Sequence, residues 1–326
     1  MKIEDCKLSA TGGSVSGGKI VSIRQTFADT LFELAVKNPQ IYVVDIGLRP
    51  SLCLDKFAAR FKSRFIEAGV AESNAAAIAA GLAASGKTVF LTSFACFSPA
   101  LNWGVIRQSI CYNQKNVKII GSHAGLMSGD LGATHQMLED VALMRCLPNM
   151  EVFAPIDAVE MAKMLPVLTH SPHPAYIRLP RVSTPLLYPH KLSFTIGKSQ
   201  ILTSGQDITV LGYGPILTQL FSEDFQKYSL EIINCSSLKP LDSNTILKSI
   251  KKTGRCLVIE DHQKNGGLGD TVANLILSSG IKSKFIHLAV NDSFGQSAHN
   301  YFDLYHHYAL SPLTIIEALK KLLSKS

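Results

Sequence analysis

The chain has 326 residues, of which 46% are hydrophobic and 17% are charged, a balance typical of globular proteins and far from that of disordered ones. At about 150 residues per domain, this length predicts two domains. The formal net charge of +7 is spread along the chain without a basic arm. We therefore expect solvated helix faces and no nucleic-acid binding, although such a field would also suit an anionic substrate or an acidic partner.

The cysteines and the apolar runs limit where the protein works. The seven cysteines are odd in number and form no Cys-x-x-Cys pair, so we expect reduced thiols in a cytoplasmic protein and no zinc site. Residues 1–19 are polar and rich in Gly and Ser, which predicts a flexible tail and no signal peptide. No uninterrupted apolar run reaches about 18 residues, so we expect no membrane span.

Strand-like and helical segments alternate from residue 20 to residue 185. The predicted strands are 41–45, 88–91, 117–121 and 152–154, and the predicted helices are 24–37, 72–84, 101–112, 139–147 and 158–170. This alternation indicates βαβ units and a parallel sheet. Asp157, between the last strand and the last helix, is the expected N-cap of that helix.

A second unit of the same kind follows. Residues 186–206 are rich in Pro, Ser, Thr and Tyr with little periodicity, which predicts an interdomain linker. Beyond it the predicted strands are 208–212, 230–235, 256–260 and 284–289, and the predicted helices are 216–228, 243–252, 270–279 and 313–323. We therefore predict an α/β fold of two parallel-sheet α/β domains, at residues 20–185 and 207–326.

Glu72 opens the most informative stretch of the chain. It is the first residue of an Ala-rich helical pattern and follows a strand-like stretch and a glycine. Alone, such an acid would be explained by the helix dipole. The segments that follow it in order are Thr92–Phe97, Gly121–Gly125, Gly132–Gln136, Glu139–Ala142 and Arg145–Met150. Several ordered motifs together carry a stronger signal than any one alone.

In this order and spacing, residues 20–185 resemble the pyrimidine-binding domain of transketolases and of 1-deoxyxylulose-5-phosphate synthases. The part from residue 200 onward is similar to the transketolase C-terminal domain, with Glu260-Asp261-His262 and Gly266–Gly269 matching its end-of-strand turn. The resemblance implies thiamine diphosphate as the cofactor and Glu72 as the carboxylate that shares a proton with its aminopyrimidine. It also implies that Phe94, with Phe97 beside it, stacks on the pyrimidine ring, although plain core packing would explain both phenylalanines.

The resemblance implies catalytic roles for two histidines that follow apolar stretches at strand ends. His135 is expected to handle protons or to contact the oxygens of the sugar, and His123 to lie near the phosphate or the hydroxyls of the substrate. Ligands of parallel sheets bind at the carboxyl ends of the strands, which favours an active-site role over a structural one.

Three further residues match family positions that bind a sugar phosphate. These are Arg24, Ser51 and Arg181, with the neighbouring Arg178 as an alternative to Arg181. An arginine fork suits the geometry of a phosphate dianion. A salt bridge on the helix surface is the competing explanation for Arg24.

The chain departs from the family pattern at three places. Gly47 stands where relatives usually have an acidic residue, and Leu131 stands where they have an aspartate that contacts a sugar hydroxyl. Because leucine cannot accept a hydrogen bond, we expect a modified, deoxygenated or unphosphorylated sugar in place of an ordinary pentose phosphate. The chain also lacks the Gly-Asp-Gly that holds the diphosphate and its metal, so we expect no metal site of the family kind.

Full-length transketolases carry the diphosphate-binding domain ahead of the part that this chain resembles. We therefore predict a subunit of a heteromeric transketolase that moves a two-carbon ketol unit between sugars or sugar phosphates. A separate N-terminal subunit would bind most of the Mg²⁺ and the diphosphate, in an α2β2 heterotetramer. Two alternatives stay open: the β subunit of a 2-oxo-acid dehydrogenase E1 component, and a non-catalytic transketolase-like scaffold.

Overall fold

The computed structural model describes residues 19–188 and 192–324, together with the backbone of residues 7–8 and 15–16, which pair as two short antiparallel strands. The rest of the tail predicted at residues 1–19 lies outside the described residues, except Lys19. Within the described part of the chain, no helix is both long and apolar enough to cross a membrane.

The first half of the chain alternates strands and helices, as predicted. Its elements are α1 (Ile23–Lys37), β1 (Ile41–Asp45), α2 (Asp55–Arg60), β2 (Phe65–Glu67), α3 (Glu72–Ala84), β3 (Thr88–Phe94), α4 (Trp103–Val105), β4 (Val117–Ser122), α5 (Asp140–Arg145), β5 (Glu151–Phe153), α6 (Ala158–His170) and β6 (Ala175–Arg178). Helix α4 continues into π-helical turns over Ile106–Tyr112, and a 3₁₀ segment covers Leu126–Leu131. The helix predicted over 101–112 is therefore only partly α-helical.

The second half repeats the alternation of strands and helices. Its elements are β7 (Gln200–Thr203), β8 (Ile208–Gly212), β9 (Leu230–Asn234), β10 (Ser237–Lys239), α7 (Ser243–Thr253), β11 (Arg255–Gln263), α8 (Leu268–Ser279), β12 (Lys284–Val290), α9 (Tyr301–His307) and α10 (Pro312–Leu323). The α-helix predicted over 216–228 is wrong, because the chain forms 3₁₀ segments at Pro215–Phe221 and Glu223–Phe225. Ser222, between them, has an extended backbone that interrupts any continuous helix. Strand β7 lies within the range predicted as linker.

Two sheets organise these elements. The strand order of the first is β2-β1-β3-β4-β6-β5-β10, and that of the second is β7-β9-β8-β11-β12. All neighbours are parallel except β10 and β7, each an antiparallel strand at the edge of its sheet. The predicted fold of two parallel α/β domains is confirmed, with one antiparallel edge added to each.

Strand β10 joins the two halves. It follows β9 of the second domain in sequence but pairs with β5 of the first, with Ser237 opposite Phe153. Lys239 donates from Nζ to the carbonyl of Arg145 at 2.9 Å and to that of Leu147. An exposed sheet edge is thereby covered by the chain itself.

Local signals explain where the main helices begin. Ser22 Oγ accepts a hydrogen bond from Gln25 N at 3.2 Å at the start of α1, and Asp157 Oδ1 accepts from Glu160 N at 2.8 Å at the start of α6. The predicted N-cap role of Asp157 is thus confirmed. The carboxyl ends of β1, β3 and β4 lie side by side in register, so their loops meet at one edge of the sheet, where ligands of such sheets bind.

Candidate active site

Arg24, near the start of α1, joins two loops at this edge. Its Nη2 donates to the carbonyl of Arg181 at 2.7 Å, and its Nη1 donates to the carbonyl of Ser51. The guanidinium is half-buried, and burial lowers its pKa. Its Nε has no hydrogen-bond partner among the described residues. The structure therefore brings the three predicted phosphate-binding residues together, although Ser51 takes part through its carbonyl and not through its hydroxyl.

Arg181 has partners of its own. Its Nη1 donates to the carbonyl of Ser128 at 3.3 Å and forms an ion pair with the carboxylate of Asp130. This hydrogen bond and the charge of Arg181 lower the pKa of Asp130, which is exposed. A phosphate at this place would therefore compete with Asp130 for Arg181. Asp130 was not predicted as a site residue, since a surface aspartate carries no signal of its own in the sequence.

His123 follows β4 in a left-handed backbone conformation, with φ +58°, which is uncommon for a residue other than glycine. Its side chain is buried, with Nδ1 2.9 Å from Ser122 Oγ. Burial, together with the positive charges of Arg24 and Arg181, lowers the pKa of His123 to about 3. The imidazole is therefore neutral near pH 7, where it can donate or accept a hydrogen bond but cannot act as an imidazolium acid.

Four predicted residues form one ring cluster: Phe94, Phe97, His123 and His135. The ring centroid of Phe94 lies 3.8 Å from that of His123 and 6.0 Å from that of Phe97, whose plane is tilted by only 13°. His135 stands edge-on to both phenylalanines, at 6.4 and 5.5 Å. The charges of Arg24 and Arg181 lower the pKa of His123, so these arginines lie near the ring cluster and belong to the same site.

Glu72 is the first residue of α3, as predicted, and its side chain is half-exposed. Its carboxylate has no hydrogen bond or ion pair with the described residues, while its carbonyl accepts from Asn102 Nδ2 at 2.9 Å. Cys96, between Phe94 and Phe97 in sequence, lies close to it. Burial raises the pKa of that thiol to about 11, and the negative charge of Glu72 adds to the shift. Cys96 thus places the start of α3 beside the segment that carries Phe94 and Phe97.

The loop after β1 is organised by a buried carboxylate. Asp45 Oδ1 accepts from Leu48 N at 2.7 Å, and Oδ2 accepts from Thr92 Oγ1 at 2.6 Å. These bonds use the acceptors of Asp45 inside the protein, so we do not expect it to take the place of the acidic residue that the family resemblance led us to expect at Gly47. Gly47 itself has φ +88°, a conformation that would strain any residue with a side chain.

Arg178, the predicted alternative to Arg181, is buried and already paired with two carboxylates, which favours Arg181 as the phosphate-binding residue. Its Nε lies 2.9 Å from Asp140 Oδ2 and its Nη1 lies 2.7 Å from Asp261 Oδ1, and all three side chains are buried. Asp140 also accepts from the hydroxyl of Tyr176 at 2.8 Å. Because Asp261 belongs to the second domain, this charge cluster of Asp140, Arg178 and Asp261 fastens the two domains together.

The glycine-rich turn at Gly266–Gly269 wraps a buried carboxylate. Glu260 accepts from Leu268 N and Gly269 N, both at 2.9 Å, and its Oε1 lies 2.7 Å from His287 Nε2. Although burial opposes ionisation, the His287 hydrogen bond holds the pKa of Glu260 down to about 2. The turn therefore caps the start of α8 and has a structural role.

Comparison with known proteins identifies the family of the chain. The transketolase pyrimidine-binding domain matches residues 19–185, and the transketolase C-terminal domain matches residues 197–315. The chain belongs to the transketolase family. The resemblance predicted from the ordered motifs is confirmed, and so is the order of the two domains.

Relatives within the family include separate chains of similar extent. A protein of Methanocaldococcus jannaschii named as a transketolase C-terminal section is 38% identical over 86% of this chain and 90% of its own. One subunit of the apulose-4-phosphate transketolase of Phocaeicola vulgatus is 32% identical over 93% of this chain and 99% of its own. A solved split gene transketolase, described as an inactive β4 tetramer, superimposes with a TM-score of 0.85 at 34% identity, covering 93% of this chain and 98% of the other.

The residues at this edge fit the pyrimidine half of thiamine diphosphate, the cofactor that the family implies. The half-exposed carboxylate of Glu72 is free to share a proton, and the parallel rings of Phe94 and Phe97 suit contact with a further aromatic ring. In residues 19–188 and 192–324, no three His, Cys, Asp or Glu side chains are placed to hold a metal ion.

Proposed function

We propose that the chain is the subunit of a heteromeric transketolase that supplies the pyrimidine side of the active site. The complete enzyme would transfer a two-carbon ketol unit between sugars or sugar phosphates. The observation that carries this proposal is the convergence, at one sheet edge, of the free Glu72 carboxylate, the ring cluster and the paired arginines Arg24 and Arg181.

Each residue of the site has a proposed role. Glu72 shares a proton with a ring nitrogen of the aminopyrimidine, and Phe94 stacks against that ring. When bound, thiamine diphosphate supplies the nucleophilic carbon that such transfers need. His135, half-exposed beside Phe97, exchanges protons with the oxygens of the sugar. His123 stays neutral and orients the substrate by a hydrogen bond.

The arginines point to a substrate with an anionic end. Arg181 can leave Asp130, which is exposed, for a phosphate, whereas the unpaired Nε of Arg24 is buried. Leu131 closes the 3₁₀ segment beside them and offers no acceptor to a hydroxyl, so we propose a modified or deoxygenated sugar. The relative named for apulose 4-phosphate supports a sugar with an anionic end.

We further propose a separate partner subunit that binds the diphosphate and Mg²⁺, in an α2β2 assembly in the cytoplasm. Three observations support it. One relative is named as a C-terminal section and another as one subunit of a transketolase. The solved relative is described as an inactive β4 tetramer, which fits a chain that needs a partner for activity. The six cysteines of the described residues are free thiols, as expected in a reducing compartment.

The first test is to purify the chain from its native source, identify the protein that co-purifies and assay the complex for ketol transfer. Glu72→Gln should lower kcat at least about 100-fold, because a carboxamide cannot share the proton. Glu33→Gln, at an exposed position of α1, is the matched control and should leave kcat unchanged. Unaltered turnover in Glu72→Gln would defeat the catalytic assignment.

The same complex separates the two alternatives. Decarboxylation of a 2-oxo acid without ketol transfer would favour the E1 component. A complex that turns over neither substrate class would favour the scaffold.

A further inference from the structure

The second domain touches the loop that carries His135. The segment at residues 295–298, which follows β12, lies against residues 129–136 of the first domain. Gln136 Nε2 donates to the carbonyl of Gln296 at 2.8 Å, and Ala298 N donates to the carbonyl of Gly129 at 3.3 Å. The two bonds run in opposite directions, so each segment holds the other.

Gln136 is the centre of this contact. Its side chain is buried, and Nε2 also donates to the carbonyl of Gly129 at 2.9 Å. One amide therefore ties the beginning of the loop, the residue after His135 and the 295–298 segment together. The backbone of the loop is closed by bonds from His135 N at 3.1 Å and Gln136 N at 3.0 Å to the carbonyl of Gly132.

The packing leaves little room for movement. A Cβ built on Gly132 would lie 2.6 Å from Ser297 Oγ, and one built on Gly295 would lie 1.9 Å from Gln136 Oε1. Gly129 and Gly132 adopt φ +46° and +72°, so the loop needs both glycines to follow this path. Contacts this close transmit a displacement of one segment directly to the other.

We propose that the 295–298 segment of the C-terminal domain is a positioning element for His135. It acts through Gln136, which fixes the position of the loop at residues 129–136 so that the His135 ring contacts Phe94 and Phe97. None of the residues that make this clamp has to touch the substrate. The catalytic consequence rests on the proposed function, whereas the clamp itself does not.

The test compares two variants of neighbouring residues. Gly295→Ala adds a methyl group that must displace Gln136, and the backbone of Gly295 does not have the positive φ that would strain alanine. Gln296→Ala is the matched control, because its exposed side chain is removed while the carbonyl that accepts from Gln136 stays. Should Gly295→Ala fail to fold, Gln136→Met is the second variant. It removes both hydrogen bonds of the Gln136 side-chain amide without adding bulk, and the same faster exchange and lower kcat are expected.

Two measurements are needed on these proteins. Hydrogen–deuterium exchange on the chain alone should be at least about tenfold faster at residues 129–137 in Gly295→Ala than in the wild type. The exchange rates of the strands of both sheets should stay unchanged. In the complex with the partner subunit, kcat should fall about 10- to 100-fold with little change in KM, because displacing a catalytic group by an ångström is that costly. Gln296→Ala should match the wild type in both.

Three results would overturn the proposal. The first is equal hydrogen–deuterium exchange at residues 129–137 in Gly295→Ala and Gln296→Ala. The second is faster exchange of Gly295→Ala throughout both domains. The third is faster exchange at residues 129–137 in Gly295→Ala with a kcat equal to that of Gln296→Ala. If the wild-type complex transfers no ketol unit, the proposed function fails, but the exchange data still decide whether the segment holds the loop.

Discussion

The charge cluster between the domains holds two buried carboxylates and one guanidinium. Arg178 bridges Asp140 and Asp261 at 2.9 and 2.7 Å, and its Nη2 also donates to the carbonyl of Asp261 at 3.0 Å. Burial raises the pKa of Asp261, although Arg178 opposes the shift. When both carboxylates are ionised, Arg178 balances only one of their two negative charges, so the members of the cluster should differ in what their loss costs.

Arg178→Met should be far more destabilising than Asp261→Asn. Methionine leaves two buried carboxylates without a cation, and breaking a buried pair in this way costs about 3–5 kcal/mol. Asparagine leaves a one-to-one pair of Arg178 with Asp140, and it keeps both an acceptor and the backbone bond. We expect a cost of about 1 kcal/mol, the net value of one hydrogen bond.

Urea unfolding of the chain, followed by circular dichroism at about pH 7.5, measures the difference between the two variants. At this pH both carboxylates are ionised in the unfolded chain. Asp55→Asn is the control, because its ion pair with Arg49 at 2.8 Å lies at the surface and should contribute nothing measurable. If Asp261→Asn proved as costly as Arg178→Met, the argument from unbalanced charge would be refuted.

Two further predictions concern protonation. Burial raises the pKa of Glu160 from 4.5 to about 7, so the native state keeps a proton that the unfolded state loses, and stability should fall as pH rises from 4.5 to 7. Glu160→Gln should abolish that fall, measured as the difference in urea unfolding between about pH 5 and pH 8, because a carboxamide does not titrate. The protein should tolerate the variant, since the new amide can donate to the unpaired Oδ1 of Asn234. An unchanged dependence of stability on pH would contradict this assignment. The ring signals of His123, assigned with a His123→Asn variant, should not titrate between about pH 5 and 8 in NMR spectra, and a midpoint near the usual histidine value of about 6.5 would show that the ring is solvated.

The sequence predicted the elements whose signals are local. Helix α3 begins at Glu72 and ends at Ala84, and α6 begins after the Asp157 cap, at the expected residues. Caps and apolar periodicity depend on neighbours within a few residues, so one sequence is enough to read them. The 3₁₀ segment at Pro215–Phe221 was missed because an apolar run of that length has the same composition in either helix type.

Site residues were predicted from their order along the chain and its resemblance to a family, and the structure brings Phe94, Phe97, His123 and His135 together in one ring cluster. What each group does depended on contacts from distant segments. Arg178 and Arg181 are three residues apart, yet Arg178 ends β6 inside the protein against Asp261, while Arg181 lies on the loop beside Asp130. The sequence by itself determined the fold class and the family, since strand–helix alternation and the ordered motifs are spread along the whole chain. Only the tertiary structure decided which charges are buried, which pKa values move and which loop the second domain holds, because burial and long-range pairing have no local sequence pattern.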